Sequence, residues 1–449
     1  MRKRKIKERL ITPFQILVAY YFIATVVSFL LLSLPWVHKP GVDVPVIDTL
    51  FTAVSAISVT GLSSINIAET FTNVGLVILV VILQLGAIGV MSIGTFFWMI
   101  FGRKIGMRTR QLIMIDHNQY KFSGVVSLLK EIVKILFVIE LFGAFVLAIH
   151  FKHYFGTWHE AILHGVFTSI SATTNGGFDI TGMSMIPYHN DYFVQFVTMV
   201  LIVLGAIGFP VLIELETFLK KKVPNFKFSL FTKITTFTYG ALFLVGTVGI
   251  LILESFQSFR GMSWHEALFS AMYHSITTRS AGLSTYDITQ FHEATNLLMS
   301  VLMFIGSSPS SVGGGIRTTT FAIAILFLIS YANGNEEIQV FKREIHLNDV
   351  FKSFVVIILA LFMVLIATLM LLITEPQASI IQIIFEITSA FGTCGLSLGL
   401  TSDLTVLGKI IIMVLMFIGR IGIISFLYTL GGKSEKLKYH YPKERVSIG

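Results

Sequence analysis

The sequence predicts an all-α polytopic membrane protein with eight full spans plus four re-entrant pore loops. They are arranged as four parallel pseudo-repeats around a central pore. Three observations predict it. Hydrophobic residues make up 54% of the 449 positions and charged residues only 13%, about half the charged share of a soluble domain. Apolar stretches of the about 20 residues that cross a bilayer as a helix recur along the chain. Four short segments, each between two such stretches, repeat one phrase: Phe51–Leu62 (FTAVSAISVTGL), Phe167–Phe178 (FTSISATTNGGF), Met272–Leu283 (MYHSITTRSAGL) and Phe385–Leu396 (FEITSAFGTCGL). In each, a large apolar residue lies ten positions before a glycine (Gly61, Gly177, Gly282, Gly395), and Leu or Phe follows.

Taken in order, residues 1–13 carry Arg2, Lys3, Arg4, Lys5, Lys7 and Arg9 ahead of the first apolar stretch. With no small-residue cleavage site, this segment reads as a retained signal anchor. Residues 14–101 form the first unit, with spans near 14–34 and 74–101. A basic loop, 102–129, leads to the second unit, 130–219, with spans 131–150 and 192–219. Residues 220–230 join it to the third unit, 231–332, whose spans are 231–254 and the interrupted stretch 294–332. Residues 333–349 lead to the fourth unit, 350–430, with spans 350–374 and 405–430, and 431–449 form a tail. Of the 33 Lys and Arg, 26 fall in the termini, in the loops joining one unit to the next, or just inside the third span; five lie on the opposite side. Cytoplasmic loops carry the positive excess, so both termini are expected in the cytoplasm and all four repeated segments enter from outside a plasma membrane. The net charge of +8 follows from that placement and from attraction to anionic membrane lipid, and nucleic acid is not expected as a partner. The outer loops hold 13 of the 25 acidic residues, either as a vestibule that concentrates cations or as a solvated surface. One cysteine excludes a disulfide framework and a cysteine-rich metal site.

A second internal match supports the repeat. Leu85-Gly86-Ala87-Ile88-Gly89, Leu204-Gly205-Ala206-Ile207-Gly208, Ile305-Gly306-Ser307-Ser308-Pro309 and Ile418-Gly419-Arg420-Ile421-Gly422 follow the four glycines at similar distances. The units share one orientation, so an axis along the membrane normal relates them. That suits a central pore, whereas inverted repeats suit an alternating-access carrier. The apolar residues before each glycine are too few to span and fit a short descending helix. The chain must then return as extended backbone, tolerated at that depth only inside protein or facing water. Four such strands on an axis offer rings of carbonyl oxygens that replace the water around a monovalent cation. The helix C-termini add partial negative charge. The ion-binding residues on this reading are Val59, Thr60, Gly61 and Leu62; Asn175, Gly176, Gly177 and Phe178; Ser280, Ala281, Gly282 and Leu283; and Thr393, Cys394, Gly395 and Leu396. Close helix packing at a small residue explains one such glycine, but four in register less well.

The phrases SVTGL (58–62), TTNGGF (173–178), TTRSAGL (277–283) and FGTCGLS (391–397) resemble the four filter segments of the Trk/Ktr/HKT superfamily of potassium transporters. Over nearly the whole chain the likeness is greatest to the bacterial Ktr membrane subunit, of the KtrB/KtrD kind. The resemblance implies four M1-P-M2 units, K+ as substrate at the filter carbonyls, and a homodimer with one pore per protomer. It also implies a separate cytoplasmic nucleotide-binding regulatory ring subunit of the KtrA/KtrC kind, with Na+ a possible activator. In that superfamily a serine at the first filter glycine goes with sodium selectivity, so Gly61 points to potassium. Gly176 and Cys394 depart from the residues expected beside filter glycines. No covalently bound cofactor is expected, and without a GxGxxG after a strand nucleotide control would come only through the partner.

Residues 306–316 read GSSPSSVGGGI, with four Gly, four Ser and one Pro among eleven positions, a composition that cannot hold a regular helix. The residues expected to form a gate are Gly306, Ser307, Ser308, Pro309, Ser310, Ser311, Gly313, Gly314 and Gly315, just cytoplasmic of the third segment. The resemblance makes the corresponding loop an intramembrane gate; a helix hinge is the plainer alternative. Arg420 takes the place of Ala87, Ala206 and Ser307 in the other units. An arginine at that depth needs partners, and the loop's carbonyls and hydroxyls suit it as an anchor for the closed loop. Arg317 is expected near the cytoplasmic mouth. Arg279 is expected behind the filter, donating to carbonyls of neighbouring segments, with Asn175 similar. His164, His274 and Glu386 read as hydrogen-bonded structural groups. Trp158-His159-Glu160-Ala161 and Trp264-His265-Glu266-Ala267 read as interfacial helix starts. Glu140 is either a buried hydrogen-bonded group or a coupling site. Together these point to channel-like potassium uptake driven by membrane potential. The alternative is an obligately coupled K+/Na+ or K+/H+ symporter. No nucleophile–base pair or metal constellation marks an enzyme.

Overall fold

The computed structural model describes residues 12–89, 105–116, 124–221, 224–335 and 337–430, with isolated positions between 92 and 99 and at 442 and 444. The basic run from Arg2 to Arg9, parts of the loop 102–129, most of the second half of the 74–101 span and nearly all of the tail lie outside the described residues.

The chain opens on α1 (Pro13–Leu32), started by a capping box in which the Thr12 hydroxyl accepts from the Gln15 N–H and the Gln15 side chain accepts from the Thr12 N–H. The helices α2 (Val46–Ser58) and α3 (Asn73–Ile88) follow, then α4 (Met107–Asp116). The second unit holds α5 (Val125–Phe151), α6 (Trp158–Thr173), α7 (Tyr192–Ala206) and α8 (Phe209–Leu219). The third holds α9 (Leu230–Glu254), α10 (Trp264–Thr277), α11 (Glu293–Ile305) and α12 (Thr318–Ala332). A small antiparallel hairpin, β1 (Gln339–Val340) and β2 (Arg343–Glu344), comes next. The fourth unit holds α13 (Leu347–Thr374), α14 (Ile380–Gly392), α15 (Val406–Ile421) and α16 (Ile423–Leu430).

Each unit repeats one order: a long helix, a short buried helix, a glycine turn, and a second helix. Among the described residues, α1, α5, α9 and α13 are the unbroken helices long and apolar enough to cross a membrane. They expose apolar side chains such as Phe22, Phe142, Val245 and Phe362 outward, as a lipid-facing surface does.

The sequence reading expected only 294–332 to be interrupted, and this is corrected. The second helix of each unit stops at or just before a positive-φ glycine, Gly89, Gly208, Gly306 or Gly422 (93°, 101°, 71° and 89°), and a further helix follows at once after Gly208 and Gly422 and after the loop that begins at Gly306. At Gly208 the chain bends by 106° between α7 and α8, so 192–219 is not one straight span. The preceding match explains the approach. A methyl on Gly86, Gly205 or Gly419 would collide with the carbonyl of Ile57, Thr173 or Phe391, at the end of that unit's own short helix. The second helix comes flush against a helix end, and only a glycine fits there.

The two long arms of each unit are also tied at the end where the short helix begins. The Thr72 hydroxyl donates to the Val37 carbonyl at 3.0 Å. Asp191, which caps α7, accepts from His150 at 2.5 Å and Tyr154 at 2.8 Å. Glu254 accepts from the His292 N–H at 2.9 Å, and Glu375 from the Thr405 hydroxyl at 2.6 Å. Burial acts to raise the Asp191 carboxyl; the Val194 N–H, His150 and Tyr154 outweigh it and hold the group below its ordinary value.

The core is shared between neighbouring units. Leu83 and Ile88 of the first pack with Phe167 and Phe209 of the second. Leu147 and Ile202 of the second pack with Tyr273 and Leu283 of the third. Met299 and Met303 of the third pack with Phe385 and Leu396 of the fourth. Ile387 and Met416 of the fourth pack with Phe51 and Leu62 of the first. The units thus form a closed ring in chain order. A buried ion pair, Lys409 Nζ to Asp48 Oδ1 at 2.5 Å, ties the fourth to the first.

Candidate functional site

The four turns meet at the middle of this ring. A methyl on Gly61 would lie 2.6 Å from the Gly177 Cα and 2.7 Å from the Gly176 carbonyl oxygen. One on Gly177 would lie 3.1 Å from the Ala281 oxygen, one on Gly282 would strike the Cys394 oxygen, and one on Gly395 would strike the Thr60 oxygen. Each glycine therefore faces the carbonyl that precedes the next unit's glycine, and the fourth faces back to the first. Four equivalent carbonyls and four equivalent glycines alternate around one closed circuit.

The backbone that builds the circuit is strained in the same way four times. The glycines have φ of 92°, 69°, 70° and 97°, and the residues two before them, Val59, Asn175, Ser280 and Thr393, have φ of 57°, 53°, 101° and 48°. A left-handed non-glycine residue costs of order 1–3 kcal/mol, more readily met at functional sites than elsewhere. Local bonds hold the shape. Thr60, Gly176 and Cys394 donate their N–H groups to Ser55, Ser171 and Ser389 carbonyls at 2.8, 2.7 and 2.8 Å. The Ser55 and Ser389 hydroxyls accept from Gly61 and Gly395 N–H, both at 3.1 Å. The third segment differs, with Ala281 N–H donating to the Thr277 carbonyl at 2.9 Å. Ser280 ties it to the fourth by donating to the Thr393 carbonyl at 2.7 Å. Leu62, Phe178, Leu283 and Leu396 turn away into the core and are buried.

The loop 306–317 lies against this circuit. A methyl on Gly314 would lie 2.7 Å from the Thr393 Oγ1 and 3.0 Å from the Gly419 oxygen. Three backbone bonds fasten the loop to the break in the second unit: Ser308 N–H to Ala206 carbonyl at 3.1 Å, Val312 N–H to Gly205 carbonyl at 3.3 Å, and Phe209 N–H to Ser310 carbonyl at 2.9 Å. The Pro309 carbonyl rests against Gly208, and Gly306 and Gly315 back onto each other. Within the loop, Ser311 donates to Ser307 at 2.9 Å and Ser307 N–H to the Gly314 carbonyl at 3.2 Å.

Arg420 spans from the loop to the first unit. Its guanidinium donates to the Val312 and Gly86 carbonyls and, at 3.1 Å, to the Ala87 carbonyl. Arg317, expected near the mouth, shows a set of partners that the sequence did not suggest. It folds back into the loop, donating to Ser307 Oγ at 3.2 Å, to the Ser308 carbonyl at 3.4 Å and to the Gly313 carbonyl. Sequence reasoning left Val312 out of the loop's working residues. It acts through its backbone alone, and an apolar letter among Gly and Ser carries no signal of that.

Arg279 needs correction. It is fully buried, but none of its three guanidinium nitrogens has an acceptor among the described residues, so it does not donate to neighbouring carbonyls. The Asn175 amide is likewise unpartnered. His274 bonds the Ser270 carbonyl at 2.8 Å and Ser284 at 3.1 Å, and Glu386 accepts from Ser397 and from Thr401 at 2.8 Å. His164 stacks on Phe155, centroids 4.1 Å apart, with its Nδ1 unbonded, so packing holds it where hydrogen bonding was expected. Glu140 accepts from Gln84 at 2.6 Å through one oxygen, and the other is unpartnered. Trp158 and Trp264 begin α6 and α10 and are exposed. Among the described residues no three His, Cys, Asp or Glu gather as metal ligands.

A profile of the family described as "TrkH: Cation transport protein" matches residues 1–436. The chain is 54% identical over 439 residues to the Ktr system potassium uptake protein D of Bacillus subtilis, covering 98% of each. It is 35% identical to the Ktr system potassium uptake protein B of the same species, covering 98% of this chain and 97% of that one. It is 33% identical to the potassium/sodium uptake protein NtpJ of Enterococcus hirae, covering 100% and 99%. The fold matches the crystal structure of the potassium transporter TrkH from Vibrio parahaemolyticus with a TM-score of 0.69 at 19% identity, over 96% of this chain and 87% of that one.

Proposed function

The chain belongs to the TrkH family of cation transport proteins, integral to the plasma membrane, and from that premise we propose that it takes up potassium through the ring of four glycine turns. The closed circuit of Thr60, Gly176, Ala281 and Cys394 carbonyls against Gly61, Gly177, Gly282 and Gly395 carries the reading. Oxygens fixed by buried backbone bonds substitute for the hydration shell of a monovalent cation without reorganising at each passage. Eight spans, counting each broken second helix as one, frame four re-entrant segments. The names of the relatives with 33–54% identity, two Ktr-system potassium uptake proteins and a potassium/sodium uptake protein, support potassium as the ion.

The loop 306–317 is the gate in this reading, held shut by Arg420, whose guanidinium reaches loop and first unit at once. Arg317 stiffens the loop from within. A homodimer with a cytoplasmic nucleotide-binding ring as regulator fits a Ktr-type system, and sodium activation belongs to the same proposal. A membrane potential contributes about 2.3 kcal/mol per charge per 100 mV, which accumulates potassium with no chemical step in the chain.

Growth of uptake-deficient cells at low potassium tests the filter. Wild type is expected to rescue; Gly61→Ser, which places a side chain on the Gly177 backbone, is expected to lose rescue or shift transport toward sodium. Undiminished potassium uptake by that variant would remove the assignment. Reversal potentials in liposomes separate a uniporter, which follows the potassium gradient alone, from a symporter, which also shifts with sodium or pH. Glu140, bonded to Gln84, is the residue a proton-coupled mechanism would use.

A further inference from the structure

Arg279 belongs to the third turn segment and is among the largest fully buried side chains of the molecule. Its Nε, Nη1 and Nη2 atoms all lack an acceptor among the described residues. A guanidinium stays charged and presents five N–H donors. A buried charge with no partner is one of the most costly arrangements a fold can hold. The groups that act on it electrostatically are Tyr239, on α9, and Cys394; neither is a carboxylate. The Cys394 thiol is already turned to the Thr277 carbonyl at 3.2 Å. The Tyr239 hydroxyl is buried and unpartnered, as is that of Thr235 one turn earlier on the same helix. Among the described residues no carboxylate balances the guanidinium.

We propose that a small monovalent anion of halide size binds at Arg279, behind the third segment, with the Tyr239 hydroxyl as a second donor. A halide accepts from the guanidinium and also neutralises it, whereas a water molecule leaves the buried charge unbalanced. The inference rests on the filter reading in one respect. Ser280 and Ala281 follow Arg279 directly and border the ring, so cations there would repel the guanidinium across a short, poorly screened distance. A bound anion offsets that repulsion and lets a buried positive charge sit beside a cation pathway without blocking it.

Crystals of the full-length protein grown in rubidium bromide, with anomalous data recorded separately at the rubidium and bromine edges, test both ideas independently. A bromine peak beside the Arg279 guanidinium is expected, absent in Arg279→Gln and at least twofold weaker in Tyr239→Phe, the milder change should the first variant fold poorly. No bromine peak there in the wild type, or a peak unaltered in Tyr239→Phe and Arg279→Gln, overturns the anion site. Rubidium peaks among the four glycines report on the filter alone. Bromine without rubidium would leave the anion site standing and remove the pathway.

Discussion

At the scale of single residues, Val59 and Thr393 show how much the site departs from local preference. Both are β-branched, fully buried and left-handed, a combination propensity disfavours. Their strain is held by the Ser55 and Ser389 bonds that follow. Arg420 is the residue whose role is most directly measurable. Its acceptors lie on two units, Val312 on the loop and Gly86 with Ala87 on the first break. Arg420→Ala removes the bridge, so rubidium uptake into liposomes without any regulator is expected to rise several-fold. Unchanged flux, with unchanged response to a regulator, would dismiss the latch.

At the scale of elements, the ring closes where α15 meets α2. Lys409 and Asp48 are only 10% and 11% exposed at the side chain and 2.5 Å apart, with Ser64 also donating to Asp48 at 2.6 Å. Removing one partner of such a pair strands the other charge, at about 3–5 kcal/mol. Lys409→Met is therefore expected to lower the thermal midpoint in detergent by many degrees. The double change Asp48→Asn with Lys409→Met is expected to recover most of the loss. Equal losses in single and double variants would mean that the pair does not close the ring.

For the whole molecule, the asymmetry of Lys and Arg predicts which way the ring faces. The lone cysteine, Cys394, is fully buried, so an introduced one can be labelled cleanly. Ser434→Cys, in the tail, is expected to react with a membrane-impermeant maleimide only from the inner face. Ser402→Cys, at an exposed position after the fourth turn, is expected to react only from the outer face of intact cells. Labelling of both from one face would reverse or break the proposed topology.

Composition and repeat spacing were enough to read a membrane-embedded helical protein in four units, because apolar run length and a recurring glycine are local properties of the chain. The resemblance carried by SVTGL, TTNGGF, TTRSAGL and FGTCGLS led to the family for the same reason. Other features depend on which backbones touch. Gly86, Gly205 and Gly419 stand in the sequence only as part of an internal match; the structure shows that each meets a short-helix carbonyl three residues before a positive-φ glycine. Arg279 looked bonded, because a sequence names a donor but not whether an acceptor comes within reach. The repeat proposed four turns around one axis; only their packing, with units arranged 1-2-3-4 and Gly395 returning to Gly61, decided which carbonyl each glycine faces. The physical reason is that a closed circuit is a relation among residues more than 300 apart in sequence, fixed by shared cores and one buried ion pair and invisible to any local pattern.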